Sequence, residues 1–124
     1  MPSKGKPYRI WEVEGYQILI GKSDRANDEL TFSVAAPEDF WLHAAGASGS
    51  HVVIRNPANL AEPPPVVLKR AAEAAAWYSQ ARGARRVTVH FCRARDVGKP
   101  PGFPPGKVLL RRWKSIRVTP RGPD

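Results

Sequence analysis

The stretch Val66-Val-Leu-Lys-Arg-Ala-Ala-Glu-Ala-Ala-Ala-Trp-Tyr-Ser-Gln-Ala-Arg82 decides the fold class. Leu68, Ala71, Ala72, Ala75 and Tyr78 recur at helical spacing, and six alanines between 71 and 81 favour a helix intrinsically. Pro63-Pro64-Pro65 stands just ahead, where the first helical turn tolerates proline. Glu73 is placed to pair with Lys69 or Arg70 one turn earlier. Arg82 falls in the last turn, where the helix dipole favours a cation, and Gly83 follows as a natural C′ residue. The pattern predicts one helix over 66–82.

Strand-like segments lie on both sides of it. Upstream, Tyr8–Glu14 alternates β-branched and aromatic residues, Gly15 breaks the run, and Tyr16–Ile20 resumes it until Gly21. Lys22–Asp28 reads as a polar loop and Leu30–Val34 as a third strand or short extended piece. Pro37-Glu-Asp39 reads as a turn, Phe40–His43 as a short apolar segment, Ala44–Ser50 as a Gly/Ser loop and His51–Ile54 as a strand. Downstream, Val87–Cys92 is a strand. Gly98–Gly106 holds four prolines, which exclude a helix or a central strand. Val108–Leu110 and Ser115–Thr119 are predicted to close a hairpin across Arg112-Trp-Lys114. The expectation is α+β: one domain over 1–124, with a mostly antiparallel sheet and one principal helix packed on it. Its core spans about 8–120, with a basic N-terminal extension and a C-terminal tail expected to be flexible.

The 124 residues leave room for one domain. No apolar run approaches the roughly 18 residues that span a bilayer. No apolar segment follows the basic start as a secretory signal would, and one cysteine excludes an internal disulfide and Cys-rich zinc sites. A free cysteine and four tryptophans fit a reducing cytosol, so a cytoplasmic location is expected.

The net charge of +9 is unevenly spread. Residues 1–62 carry six basic and eight acidic side chains, whereas 63–124 carry fourteen and three, net +11. A half-domain of that charge is an electrostatic footprint for a polyanion. Arg93, Arg95, Lys99, Lys107, Arg112 and Lys114 lie on the later strands and loops, with Trp113 and Phe103 among them. Basic residues interleaved with aromatics suit phosphate contact plus base stacking, although large aromatics equally serve packing. The glycines of 98–106 would let backbone approach a phosphate closely; a rigid crossover, or a polyproline ligand for a partner domain, are the other readings.

The histidines raise an enzyme reading. His43 and His51 bracket the Gly/Ser loop and His90 follows on a later strand. Asp24, Asp28 and Asp39 are available, yet no HExxH, HxH or DxD spacing occurs, and Ser48 and Ser50 lie in no GxSxG. No catalytic residue, metal ligand or cofactor is therefore assigned. The alternatives are an RNA-processing or RNA-modifying enzyme, or its subunit, using His43 and His51, and a protein-interaction domain.

Five pieces in order carry a resemblance. Gly15–Phe32, Asp39–His43, Gly49–Ile54, Ala71–Arg82 and Lys99-Pro-Pro-Gly with Pro105-Gly-Lys-Val108 together resemble the NFACT-R domain of RqcH/NEMF-type ribosome quality-control proteins. The resemblance covers about residues 9 to 120. It implies RNA binding, with tRNA or ribosomal RNA as partner and the large ribosomal subunit as setting, and with neither membrane nor DNA as target. By position it nominates Asn27, Asp28, Trp41, His43, Ser50, His51, Lys99 and Gly106. The chain matches only that domain of the larger proteins, so addition of tails to stalled chains is not expected of it alone. Gly98 stands where lysine is common in the family, and Pro104 where a positive residue is frequent.

Overall fold

A computed structural model describes residues 5–123; the start of the basic N-terminal extension, residues 1–4, and residue 124 lie outside the described residues. Tyr8–Val13 (β1) and Tyr16–Gly21 (β2) form a hairpin in full register. Its two-residue turn, Glu14-Gly15, has φ of 51° and 82°, the conformation that lets a tight hairpin follow the strand twist. Phe40–Ala44 (β3), Val52–Ile54 (β4), Val87–Arg93 (β5) and Lys114–Val118 (β8) complete an antiparallel sheet in the order β1-β2-β4-β3-β5-β8. Between β5 and β8, Val97–Gly98 (β6) and Leu109–Leu110 (β7) pair as a separate short ribbon. The predicted α+β class with one principal helix is the observed one.

That helix, Pro65–Trp77 (α2), covers one face of the sheet. Ile18, Leu42, Val52, Ile54 and Val89 meet Val67 and an alanine surface. Ala71, Ala72, Ala74, Ala75 and Ala76 are all fully buried. Alanine here does more than favour helix: its small side chain lets the helix axis come close to the strands. Glu73 is buried in the same helix and pairs at 2.7 Å with Arg70, one of the two partners that spacing offers.

The helix ends at Trp77, five residues before the expected end. Tyr78 leaves helical geometry with φ −90° and ψ 37°. The chain then pairs with the Gly/Ser loop: Ser50 N–H donates to Tyr78 O at 2.9 Å and Gln80 N–H to Ser48 O at 2.8 Å. A Cβ on Gly49 would sit 2.7 Å from that of Ser79, so this close approach requires glycine. Tertiary pairing therefore overrides the propensity of Ala81 and Arg82. After Pro120 the chain lies along α2, with Arg121 N–H donating to Glu73 O.

Three further expectations are corrected. Lys22–Asp28 is not all loop: Asp24–Glu29 forms a helix (α1), whose first turn is capped by Ser23 Oγ accepting from Ala26 N–H at 3.1 Å. Leu30–Val34 is not a strand but one π turn, closed by Ala35 N–H on Leu30 O. Five alternating residues fit either period, and only Leu30 and Thr31 are buried. Likewise Val108–Leu110 does not pair with the final strand. Leu109–Leu110 joins Val97–Gly98, and Lys114–Val118 adds to β5 instead.

The second face is half covered. Leu19, Trp41, Val53 and Cys92 pack beneath Leu30 and Val97, with Val108 and Leu110 alongside. Beyond them, Thr88 and His90 of β5 and Ser115 and Arg117 of β8 share this face by strand alternation and remain partly or fully exposed. Replacing Ala72 with Leu should overpack the helix–sheet contact and cost about 1–3 kcal/mol in denaturant unfolding. A change within error of zero would contradict the close-packed reading of the alanine face.

Candidate nucleic-acid interface

A buried polar knot holds three loops together on the second face. Asn27 Oδ1 accepts from His51 N–H at 2.9 Å and Asn27 Nδ2 donates to Gly49 O at 3.1 Å. A methyl group on Gly21 would overlap the Asn27 side-chain oxygen, so glycine is needed there too. Ser50 Oγ donates to Gly21 O at 2.6 Å. Trp41 Nε1–H donates to Thr31 Oγ1 at 3.0 Å, and Thr31 meets His51 Nδ1 at 2.8 Å. His51 Nε2 lies 3.1 Å from Gly106 O. A carbonyl can only accept, so the proton is assigned to Nε2, and Nδ1 accepts from the Thr31 hydroxyl. One relay thus runs from Trp41 through Thr31 and His51 to Gly106.

The same glycine is held from its other side. Its N–H donates to Asp28 Oδ1 at 3.0 Å, and φ is 86°. Lys99 Nζ pairs with Asp28 at 3.1 Å and donates to Pro104 O and Lys107 O, each at 2.6 Å. The Pro/Gly loop is therefore pinned by residues from α1, by the residue just before β4 and by its own start. Burial is the main reason His51 is depressed to about 4, helped by neighbouring His43. His43 is lowered chiefly by burial, with His90 adding to it and the Gly49 backbone opposing it. Burial also pushes the Cys92 thiol up to about 12, which leaves it unreactive near neutral pH.

The nominated residues therefore divide by location. Asn27, Asp28, Trp41, Ser50, His51, Lys99 and Gly106 come together as the knot; Trp41 and His51 are each 1% exposed. Both ring nitrogens of His51 have partners. His43 and Lys107 are more open. They line a cleft of about 470 Å³ with Gly46, Ala47, Ser48 and Gly106. An adjoining cleft of about 490 Å³ shares His43, Gly46 and Lys107 and runs on to His90 and Leu110. The rings of His43 and His51 lie 5.4 Å apart, and those of His90 and Trp113 5.6 Å apart. His43 and His90 are cross-strand partners, so the rings form a stripe across the sheet.

Arg93 and Arg95 sit elsewhere. Both pair with Glu38, at 3.1 and 2.7 Å. Arg93 also donates to Leu60 O and Ala61 O and lies over the Phe40 ring, a fastening role for the Pro-rich connection. Arg112 and Lys114 are exposed beside Trp113, which is 49% exposed; Lys114 pairs with Glu62 at 3.1 Å. His90 and Arg117 belong to the open face; Arg117 is part of the basic run of the second half, and for His90 strand parity from His43 was the available signal. Thr31 had none. No group of three or more His, Cys, Asp or Glu among the described residues is arranged to hold a metal ion. No helix among them is long and apolar enough to cross a membrane.

The His51 relay predicts a pH dependence. The unfolded chain takes up the His51 proton near 6.5, the folded one only near 4. The relay's stability is complete above about 6.5 and is lost as pH falls toward 4, by roughly 3 kcal/mol. Melting temperatures across this range should fall less steeply in His51→Gln than in the wild type. Equal slopes would contradict the relay.

The family profile described as NFACT protein RNA binding domain matches residues 6–112. The chain is 44% identical over 116 residues to "Rqc2 homolog RqcH" of Streptococcus suis, covering 93% of this chain and 20% of that protein. Against the same-named protein of Bacillus subtilis it is 42% identical over 108 residues, covering 87% and 18%. The chain thus spans about one fifth of the length of these relatives. A solved structure, the C-terminal of the fibronectin/fibrinogen-binding protein from Streptococcus suis, superposes with a TM-score of 0.85 at 42% identity, covering 94% of this chain and 46% of that one. With the profile spanning most of its length and the fold matching throughout, the chain belongs to the NFACT protein RNA-binding domain family.

Proposed function

We propose that this domain is a non-catalytic RNA-binding module of the cytosol. Its RNA is tRNA or ribosomal RNA, engaged at the large ribosomal subunit during quality control of stalled translation. One observation carries the reading: the uncovered half of the sheet presents a stripe of rings flanked by exposed cations and bordered by two glycine-rich loops. His43, His90 and Trp113 offer flat faces to unpaired bases, as sheet-based RNA-binding modules do. Lys107 and Arg117 are exposed beside them and offer charge to phosphates. The knot supports the reading indirectly. It fixes both loops before any ligand arrives, so less ordering cost falls on binding. The family's RNA-binding description and the RqcH relatives supply the biological setting.

A binding role fits the site better than the enzyme alternative. His51 is enclosed and engaged at both nitrogens, which leaves neither free to transfer a proton. The protein-interaction alternative would use the Pro/Gly loop, whose backbone is instead fastened to Asp28, His51 and Lys99.

Fluorescence anisotropy with labelled tRNA tests this. Affinity should fall steeply with salt. Lys107→Glu and Arg117→Glu should each weaken binding and reduce the slope of log K against log salt by about 0.7 for each phosphate no longer neutralised. Lys69→Glu, on the exposed side of α2, should do neither. No binding at low salt, or equal weakening by all three variants, would overturn the reading.

A further inference from the structure

Trp113 belongs to two neighbourhoods. One is the ring stripe, through His90. The other is a separate pocket of about 140 Å³ at the end of β8. The pocket arises because β8 begins at Lys114, opposite Phe91, while β5 runs on to Cys92 and Arg93 without a β8 partner. Its lining combines the buried Phe40, Phe91 and Cys92 with the charged Glu62, Arg93, Arg95 and Asp96. Its rim is Arg112, Trp113 and Lys114.

We propose that this pocket takes one unstacked pyrimidine base of the bound RNA strand, with its ring against the Trp113 indole and its phosphate toward Arg112 and Lys114. The inference rests on the RNA-binding reading above and names a subsite within it. Three features point to that ligand. An exposed indole beside cations is the arrangement that holds single-stranded nucleic acid by stacking, because every base has a π-face. The Glu62 and Asp96 carboxylates in the lining disfavour a phosphate inside, while Phe40, Phe91 and Cys92 offer apolar surface to an uncharged ring and the exposed cations meet the backbone. The volume sets the size. A dry cavity of about 150 Å³ in another protein holds benzene, so about 140 Å³ suits a single six-membered ring rather than a fused purine. Trp113 also touches His90, so the pocket and the open face meet at its indole.

Indole NMR signals of the full chain give the test, with Trp113 identified by the signal that disappears in Trp113→Phe. Hexacytidylate should move the Trp113 indole signal saturably, whereas ribose 5-phosphate, which has no base, should not. Hexaadenylate should bind several-fold more weakly than hexacytidylate, and Arg112→Ala should weaken hexacytidylate binding roughly fivefold at unchanged melting temperature. An unmoved Trp113 signal while anisotropy still reports tRNA binding would overturn the pocket and leave the RNA reading standing. Failure of every RNA to bind at low salt would remove both. Equal shifts and affinities for hexaadenylate and hexacytidylate would overturn the single-ring assignment.

Discussion

The contact on which the rest depends is the bond pair at Gly106, whose carbonyl accepts from His51 and whose N–H donates to Asp28. These residues are 55 and 78 positions away in the chain, so the pair closes the fold across most of its length. Beyond it, the tip of the Pro/Gly loop is tied down chiefly through Lys99, itself part of that loop. The Gly106 carbonyl fixes the His51 tautomer, and Thr31, held by Trp41, completes the relay on Nδ1. Removing one member leaves buried polar groups unpaired, which costs more than the bond itself contributes.

That arrangement separates two tasks that residue type alone would merge. Asn27, Asp28, His51 and Lys99 shape the interface from beneath, and His43, Lys107, Trp113 and Arg117 stand at its surface. The division has a physical basis. A pre-formed groove of backbone and small residues cannot hold itself open without buried cross-links, and cross-linking groups cannot also face a ligand. The charge imbalance follows the same division. Much of the +11 half remains at the surface, while Arg93 and Lys99 are fastened to carbonyls and carboxylates.

Much of the fold was legible in the residues because its signals are local. The β1–β2 hairpin shows in alternation broken at Gly15, and the helix start in the prolines before Val66. What was not legible depends on partners far away. The helix stops at Trp77 because the Gly/Ser loop binds the next backbone groups, and no residue near Tyr78 announces that. α1 and its π turn hide in a polar run followed by five alternating residues. A two-residue strand such as Leu109–Leu110 carries too little pattern to reveal its partner. At the site, charge and aromatic content pointed to Trp113, Lys99 and Lys107, whereas Asn27 and Trp41 of the knot could be nominated only through resemblance. Spacing alone does not disclose that Asn27 and Asp28 reach opposite loops.

The central claim is that RNA lies across the uncovered half of the sheet, over loops fixed by the knot. Ultraviolet crosslinking of the intact chain to RNA, with the linked residues identified by mass spectrometry, tests it most directly. Crosslinks should concentrate at His43–Gly46, His90, Lys107 and Trp113. Crosslinks concentrated on the exposed side of α2, around Val66 and Lys69, or on β1, would contradict it.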